Sequence, residues 1–324
     1  MNLSGSKVLV AGASGFLGGH FAKKLKDLGA DVVGTTFSRA APYPVPGVKY
    51  VTADLTRAED CAAVCEGCDY IFMCAANTAG AAVMKATPLA HVTPNVLMNT
   101  LMLEAAHRAK VKRYLFISSG AAYPATGEVP AKEEDMFAAE PEDVYYAVAW
   151  MKRYAEILCR TYAEKIKDPM PVTVVRPSNV YGPQDKFDPA KSHVTAALIR
   201  RVAERENPMV IWGTGNDIRD LIYIDDFIDG TMAAFSNDSP FYAVNIAFGE
   251  GISVRELLIK IIEVDCFNDA KYSFDVSKPS TTPIRLLDHS KAKADLRFQA
   301  KTSLASGIKM ALEWYRANLL GTWR

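Results

Sequence analysis

The chain has 324 residues, with 37 basic and 37 acidic side chains and a formal net charge of zero. That balance gives no electrostatic argument for nucleic acid or a membrane surface as partner. Hydrophobic residues make up 49%, enough for a sizeable core in one large domain or two closely joined ones, and no apolar run approaches membrane-spanning length. The N-terminus lacks the charged and apolar regions of a signal peptide, so a soluble, cytoplasmic protein is the default expectation.

The first apolar run, Val8 to Ala11, reads as a buried parallel strand, and Phe16 to Leu28 reads as an amphipathic helix. Between them Gly12, Gly15 and Gly18 fall at G-x-x-G-x-x-G spacing, with Ser14, Phe16 and Leu17 completing the loop. Gly12 permits a tight turn, Gly15 lets backbone approach a pyrophosphate, and Gly18 lets helix and strand pack closely. The helix N-terminus then offers N–H groups and a positive dipole end to phosphates. The stretch therefore reads as a dinucleotide site.

Strands follow at Asp31–Phe37 and Val48–Val51, then a helix over Arg57–Glu66, a strand at Asp69–Cys74 and a long helix over Asn95–Lys110. A fifth strand at Arg113–Ser118, a helix over Val144–Lys165 and a sixth strand at Val172–Arg176 complete the alternation. Such alternation predicts an α/β fold: a doubly wound parallel sheet covered on both faces, with ligands at the carboxyl ends of its strands. After Pro177 the texture changes to short elements and Pro- and Gly-containing loops. Residues 1–177 are therefore expected to form the Rossmann domain. Residues 178–324 are expected to form mainly a smaller, irregular substrate lobe, some of whose segments return to the first domain.

The residue that would bind a ribose 2′-OH at the end of the second strand is normally acidic; here it is Thr36, followed by Ser38 and Arg39. A missing carboxylate and a nearby arginine favour NADP(H), with NAD(H) not excluded. Asp54 and Leu55 follow the third strand, where an adenine could rest. Ala75, Ala76 and Asn77 follow the fourth, where a cofactor ribose would pass. Among six cysteines, Cys61, Cys65 and Cys68 cluster without a second CxxC. Reduced structural thiols are expected, with no metal and no disulfide framework.

Three further stretches complete the set: Phe116-Ile-Ser-Ser119-Gly-Ala-Ala-Tyr123-Pro, Val174-Val-Arg176-Pro-Ser-Asn179-Val-Tyr-Gly182-Pro, and Trp212-Gly-Thr-Gly through Arg219 to Asp226. With the glycine loop, in this order, they make the chain resemble the extended short-chain dehydrogenase/reductase family, the nucleotide-sugar epimerases and dehydratases. The subgroup it looks most like is the GDP-L-fucose synthases, through Ser192-His193-Val194, Trp212, and Lys278-Pro followed by Pro283-Ile-Arg285. The resemblance implies an NAD(P)-dependent enzyme acting on a nucleotide diphosphate-sugar through C4 oxidation and 4-keto chemistry, and a homodimer formed through the two long helices. It assigns Ser119 to the reacting sugar oxygen, Lys152 to the nicotinamide ribose, and Pro177 to the cofactor. Asn179, His193 and Val194 fall to the substrate. Arg219, with Arg285, falls to the diphosphate. Trp212 could pack on a base, but lobe core is the expectation. Arg176 is expected near the nicotinamide and sugar.

The family's proton-transfer tyrosine lies four residues before its lysine, on one helix face. This chain departs from that pattern. Reading back from Lys152 puts Val148 where tyrosine belongs; reading forward from Pro141 makes Tyr146 the tyrosine and puts Trp150 where lysine belongs. Tyr145 is seven residues from Lys152 and shares its helix face about 10 Å away. Three readings stay open: a shifted tyrosine (Tyr145 or Tyr146), a dehydratase with another acid or base, and a non-catalytic dinucleotide-binding protein.

Overall fold

The computed structural model describes residues 1–78, 87, 89–278 and 282–322. Strands β1 (Lys7–Ala11), β2 (Asp31–Thr36), β3 (Lys49–Thr52), β4 (Tyr70–Met73), β5 (Arg113–Ile117) and β6 (Val172–Pro177) are joined by helices α1 (Phe16–Asp27), α2 (Ala58–Cys65), α3 (Leu89–Arg108) and α4 (Tyr146–Glu164). Beyond them come β7 (Asn179–Tyr181), α5 (Val194–Ala203), β8 (Met209–Trp212), β9 (Ile218–Tyr223), α6 (Ile224–Phe235), β10 (Phe241–Ile246) and β11 (Gly251–Ser253). The chain ends through α7 (Val254–Val264), β12 (Tyr272–Asp275), β13 (Ile284–Arg285), α8 (Ser290–Leu296) and α9 (Leu304–Asn318).

The large sheet runs β10-β6-β5-β4-β1-β2-β3 and is parallel throughout. Its strands are continuous apolar runs because both faces are covered. Val8, Val10, Phe72 and Leu115 point to the face carrying α1 and α6. Leu9, Ala11, Ile71 and Phe116 point to the face carrying α2, α3 and α4. The seventh strand, β10, comes from residues 241–246 and pairs with β6 from Phe241↔Val172 to Ile246↔Pro177. A second sheet runs β11-β9-β13, with β7 also on β9, and β8 pairs β12 alone.

Element positions follow the sequence pattern to within a residue or two, with one larger departure. Helix α3 begins at Leu89, six residues before the expected Asn95, and runs through Pro94. A proline there removes one backbone donor. The start is held instead by side chains: His91 and Asn95 both bond the Asn77 carbonyl, and Asn95 Oδ1 accepts the Asn77 N–H at 2.9 Å. Pro279, part of one sequence motif, lies outside the described residues.

Cys61, Cys65, Cys68 and Cys159 are buried free thiols. Burial pushes Cys61 up to about 12, and its Sγ–H donates to the Leu55 carbonyl. No described helix is long and apolar enough to cross a membrane.

Candidate active site

The glycine loop has the geometry its spacing demands. Gly12 sits at φ +78°, and a Cβ there would lie 2.7 Å from the Ala75 Cα. A Cβ on Gly18 would lie 2.2 Å from the Gly12 carbonyl oxygen. Both cradle positions are closed to any side chain. Gly15 is the N-cap of α1 and brings no side chain to the cap, so the first-turn N–H groups are presented by bare backbone. Gly12 N–H is fixed by Thr35 Oγ1 at 2.8 Å. The residues present fit a dinucleotide pyrophosphate.

Around this cradle, Thr36 is buried and packs beside Thr52, while Ser38 and Arg39 are exposed at the end of β2. Asp54 accepts from the Thr56 N–H and hydroxyl, which holds its carboxyl below the usual range. It shapes the turn after β3, and Leu55 beside it is buried in the core under α2. Ala75 closes on Gly12, Ala76 and Asn77 are exposed, and Pro177 ends β6 against the Ser119–Gly120 turn.

Ser119 caps a short 3-10 turn at the carboxyl end of β5 and accepts the Ala121 N–H at 3.1 Å, leaving its O–H to donate. Lys152, on α4, sends its Nζ to the Ile117 carbonyl at 2.8 Å and lies 4.8 Å from the Phe116 ring centre. Burial lowers its ammonium to about 8, against the pull of Glu156 one turn on. Glu156 in turn forms a buried two-pronged ion pair with Arg176, 2.6 Å at its shortest, and accepts from Ser118 Oγ. Arg176 Nη1 donates to Tyr123 OH at 2.8 Å, and Tyr123 OH donates to Asn245 Oδ1 at 2.6 Å. The Arg176 guanidinium is thus held in a buried network that also ties down Ser118, the residue before Ser119.

The tyrosines separate cleanly. Helix α4 starts only at Tyr146, whose side chain is 52% exposed. Six residues from Lys152, Tyr146 lies roughly 240° away around the helix. Val148, four residues before Lys152, shares its face. Tyr145 belongs to the 3-10 turn before the helix and is half-buried against the cluster of Ala122, Tyr123 and Leu287. The Arg285 guanidinium sits 4.3 Å from its ring centre. Tyr145, Glu142 and Arg285 share one pocket with Gly120 and Ala121 of the Ser119 turn.

Arg285 and Arg219 are register partners on β13 and β9. Like charges directly opposite in a sheet repel. Burial and Arg285 both hold the Arg219 guanidinium below its usual value, and Asp217, 3.4 Å away, offsets them only in part. Two arginines on neighbouring strands, the one making the other harder to charge, suit an anionic ligand.

The sequence model of the NAD dependent epimerase/dehydratase family matches residues 8–247. The chain belongs to that family. It is 31% identical to GDP-L-fucose synthase 1 of Arabidopsis thaliana over 98% of this chain and 96% of that protein. In structure it is similar to the UDP-glucose 4-epimerase of Thermotoga maritima solved with UDP-glucose, with a TM-score of 0.85, 24% identity, and 97% and 99% of the two chains covered. It is also similar to MoeE5 in complex with UDP-glucuronic acid and NAD, with a TM-score of 0.82, 25% identity, and 97% and 100% covered.

As an enzyme of this family, the chain carries its remaining site candidates after β6. Asn179 Nδ2 donates to the Asp220 carbonyl at 3.0 Å, tying β7 to β9. His193 is the N-cap of α5, with Val194 behind it packing on the core. Partial enclosure, then Lys186 and Arg285, hold the His193 imidazolium below its usual pKa. The expectation that Trp212 is lobe core is corrected: it is 60% exposed. Strand β8 alternates in and out, and pairing with β12 turns Met209 and Ile211 inward and Val210 and Trp212 outward.

Sequence reasoning passed over three residues here. Phe37 is 65% exposed beside Arg39. Asp185 and Lys186 come just after Gly182-Pro183; burial raises the Asp185 carboxyl to about 7 and lowers the Lys186 ammonium, which bonds Thr78 beyond β4. The only signal was position: a charged pair directly following a strand-end motif.

Proposed function

We propose that this enzyme uses NADP(H) to modify the sugar of a nucleotide diphosphate-sugar at C4, as a fucose-synthase-like epimerase/reductase acting on a 4-keto sugar. The observation that carries this reading is the pocket in which Gly120 and Ala121 of the Ser119 turn meet Tyr145 and Arg285, with Arg219 the register partner of Arg285. Gly12, Gly15 and Gly18, with Ser14, Phe16 and Leu17, hold the pyrophosphate of the dinucleotide. Ser38 and Arg39 receive a 2′-phosphate. A bound nicotinamide supplies hydride exchange at the sugar carbon.

The chain's own residues do the rest. Arg219 grips the substrate diphosphate, with the free edge of Arg285 assisting. Ser119 donates its O–H to the C4 oxygen. Lys152 reaches the cofactor ribose hydroxyls, and Tyr145 exchanges the proton at the C4 oxygen in place of the missing helix tyrosine. Asn179, His193, Val194 and Trp212 line the sugar and base. The relative names GDP-fucose synthesis as its activity, which supports a 4-keto substrate. The exposed Trp150, Tyr154 and Ile157 of α4 and Leu97 of α3 support a homodimer through those helices, and the cytoplasm is the place expected for such chemistry.

Val148 in the usual tyrosine position favours one other reading, a dehydratase whose acid and base lie elsewhere. The test is incubation of the pure protein with GDP-, dTDP- and UDP-sugars carrying 4-keto or 4-hydroxy groups, following NADPH and product mass. Stoichiometric NADPH loss supports the reductase. Product with the dinucleotide recycled moves the assignment to dehydration or epimerisation, and no turnover across the panel overturns both.

A further inference from the structure

We propose that Lys186 is a phosphate ligand of the dinucleotide, carried on a bar of residues 183–186 that the smaller lobe lays between the two walls of the cofactor groove. The inference rests on the reading of that groove as a nicotinamide-dinucleotide site. It is independent of the sugar and of the reaction.

The bar is anchored at both ends. Its first residue, Pro183, offers its carbonyl to His20 Nε2 at 3.0 Å, and His20 is on α1, the helix that the glycine loop opens. Gln184 takes φ +66° and brings its Oε1 to 3.5 Å from where a Cβ of Gly19 would stand. At the other end Lys186 Nζ donates to Thr78 Oγ1 at 2.5 Å, with the Thr78 carbonyl at 3.5 Å. Thr78 follows β4 and is one residue beyond Asn77, the backbone that Asn95 and His91 pin to α3. So one short loop touches the glycine-loop helix on one side and the β4 loop on the other. Dinucleotide phosphates in this fold lie at the N-terminus of that helix, outside the carboxyl ends of the strands.

Beside the Asp185 carboxylate, the charges that bear on Lys186 are positive. Arg39, at the end of β2, Lys191, before α5, and His193, at the cap of α5, all bear on it. Among the described residues it makes no ion pair; its bonded partners are the hydroxyl and carbonyl of Thr78. The nearest acid, Asp185, spends Oδ1 on the Lys186 N–H at 2.6 Å. A partly enclosed ammonium among like charges is costly unless an anion joins it. The groove it overhangs is built for one.

Titration of the protein with NADPH and NADH, followed by nicotinamide fluorescence, tests this in wild type, Lys186→Met, Lys186→Arg and Thr78→Val. Methionine keeps the buried stem and removes the charge. Lys186→Met is expected to weaken binding about tenfold or more, in line with a lost charged hydrogen bond, with Lys186→Arg recovering much of it. An equal loss for both dinucleotides assigns Lys186 to the pyrophosphate; a larger loss for NADPH assigns it to the 2′-phosphate. A change under about twofold for both dinucleotides overturns the proposal, and so does an equal loss in Thr78→Val, since Lys186 then acts only as a tether. If wild type binds neither dinucleotide, the reading of the groove itself falls. A matched thermal melt of the apo variants separates lost binding from lost fold.

Discussion

Replacing Asp185 with Asn should change how stability depends on pH, and the direction follows from burial. Asp185 sits at the foot of the bar, and burial raises its carboxyl from 3.8 to about 7, against the pull of the Lys186 N–H and ammonium. Between those values the folded protein holds a proton that the unfolded chain has released. Stability from this group is therefore fully present below the unfolded pKa and is lost as pH rises through the folded one. A gap of about 3 units at 1.36 kcal/mol each sets a ceiling of about 4 kcal/mol, which solvent entering the cleft trims to about 2–3 kcal/mol. Asp220, raised to about 6, and Glu133, also raised, contribute in the same direction, while His20 and His193, both lowered, contribute the opposite slope. All four are common to both proteins and cancel in the difference. Urea unfolding of wild type and Asp185→Asn at steps from about pH 4 to 8 should show the wild-type advantage falling by about 2–3 kcal/mol across the range. Parallel curves, with a difference constant to about 0.5 kcal/mol, would refute the reasoning and return Asp185 to ordinary solvation.

Three other perturbations have clear signs. Gly18→Ala places a methyl 2.2 Å from the Gly12 carbonyl oxygen, so the loop must shift; NADPH affinity, read by fluorescence titration, should fall at least about tenfold. Glu156→Gln leaves Arg176 buried without its counter-charge, and should lower unfolding free energy in urea by about 3–5 kcal/mol; a loss under about 1 kcal/mol would mean that Tyr123 and the Glu133 carbonyl suffice for Arg176. Once a substrate is identified, Tyr145→Phe should cut turnover about 100-fold or more with dinucleotide binding unchanged, while Tyr146→Phe stays within a few-fold; the reverse order would move proton transfer to Tyr146.

What was readable in the sequence was local. Three glycines between a strand and a helix specify a turn within one stretch of chain, and φ at Gly12 with the packing at Gly18 follow from that spacing. What was not readable depends on partners far along the chain. Trp212 was expected inside because it is large and apolar. It faces outward because Asp275, sixty-three residues on, fixes the register of its strand. Arg176 has the residue type of a ligand-binding group, yet Glu156 from α4 claims it. Lys186 carries no motif at all; only the fold brings it to Thr78, 108 residues earlier in the chain.

The helix that breaks the family pattern shows how far such reasoning extends. On a continuous helix, a tyrosine seven residues before Lys152 stands two turns off, about 10 Å along the axis. The structure ends the helix at Tyr146, so Tyr145 is released from helical spacing and lies in a 3-10 turn held by the Tyr145 N–H bond to the Glu142 carbonyl at 2.8 Å. That turn is clamped by residues far along the chain: Thr282 Oγ1 donates to Glu142 Oε2 at 2.7 Å, Arg285 Nη2 donates to Thr282 Oγ1 at 3.2 Å, and the Arg285 guanidinium covers the Tyr145 ring. A tyrosine fixed by a helix needs a set distance to its lysine. A tyrosine fixed by such a clamp does not, because its place is set by Thr282, Arg285 of β13 and the pocket it shares with Gly120 and Ala121. The 3-10 turn and the Thr282 and Arg285 contacts thus place Tyr145 independently of any helical spacing to Lys152.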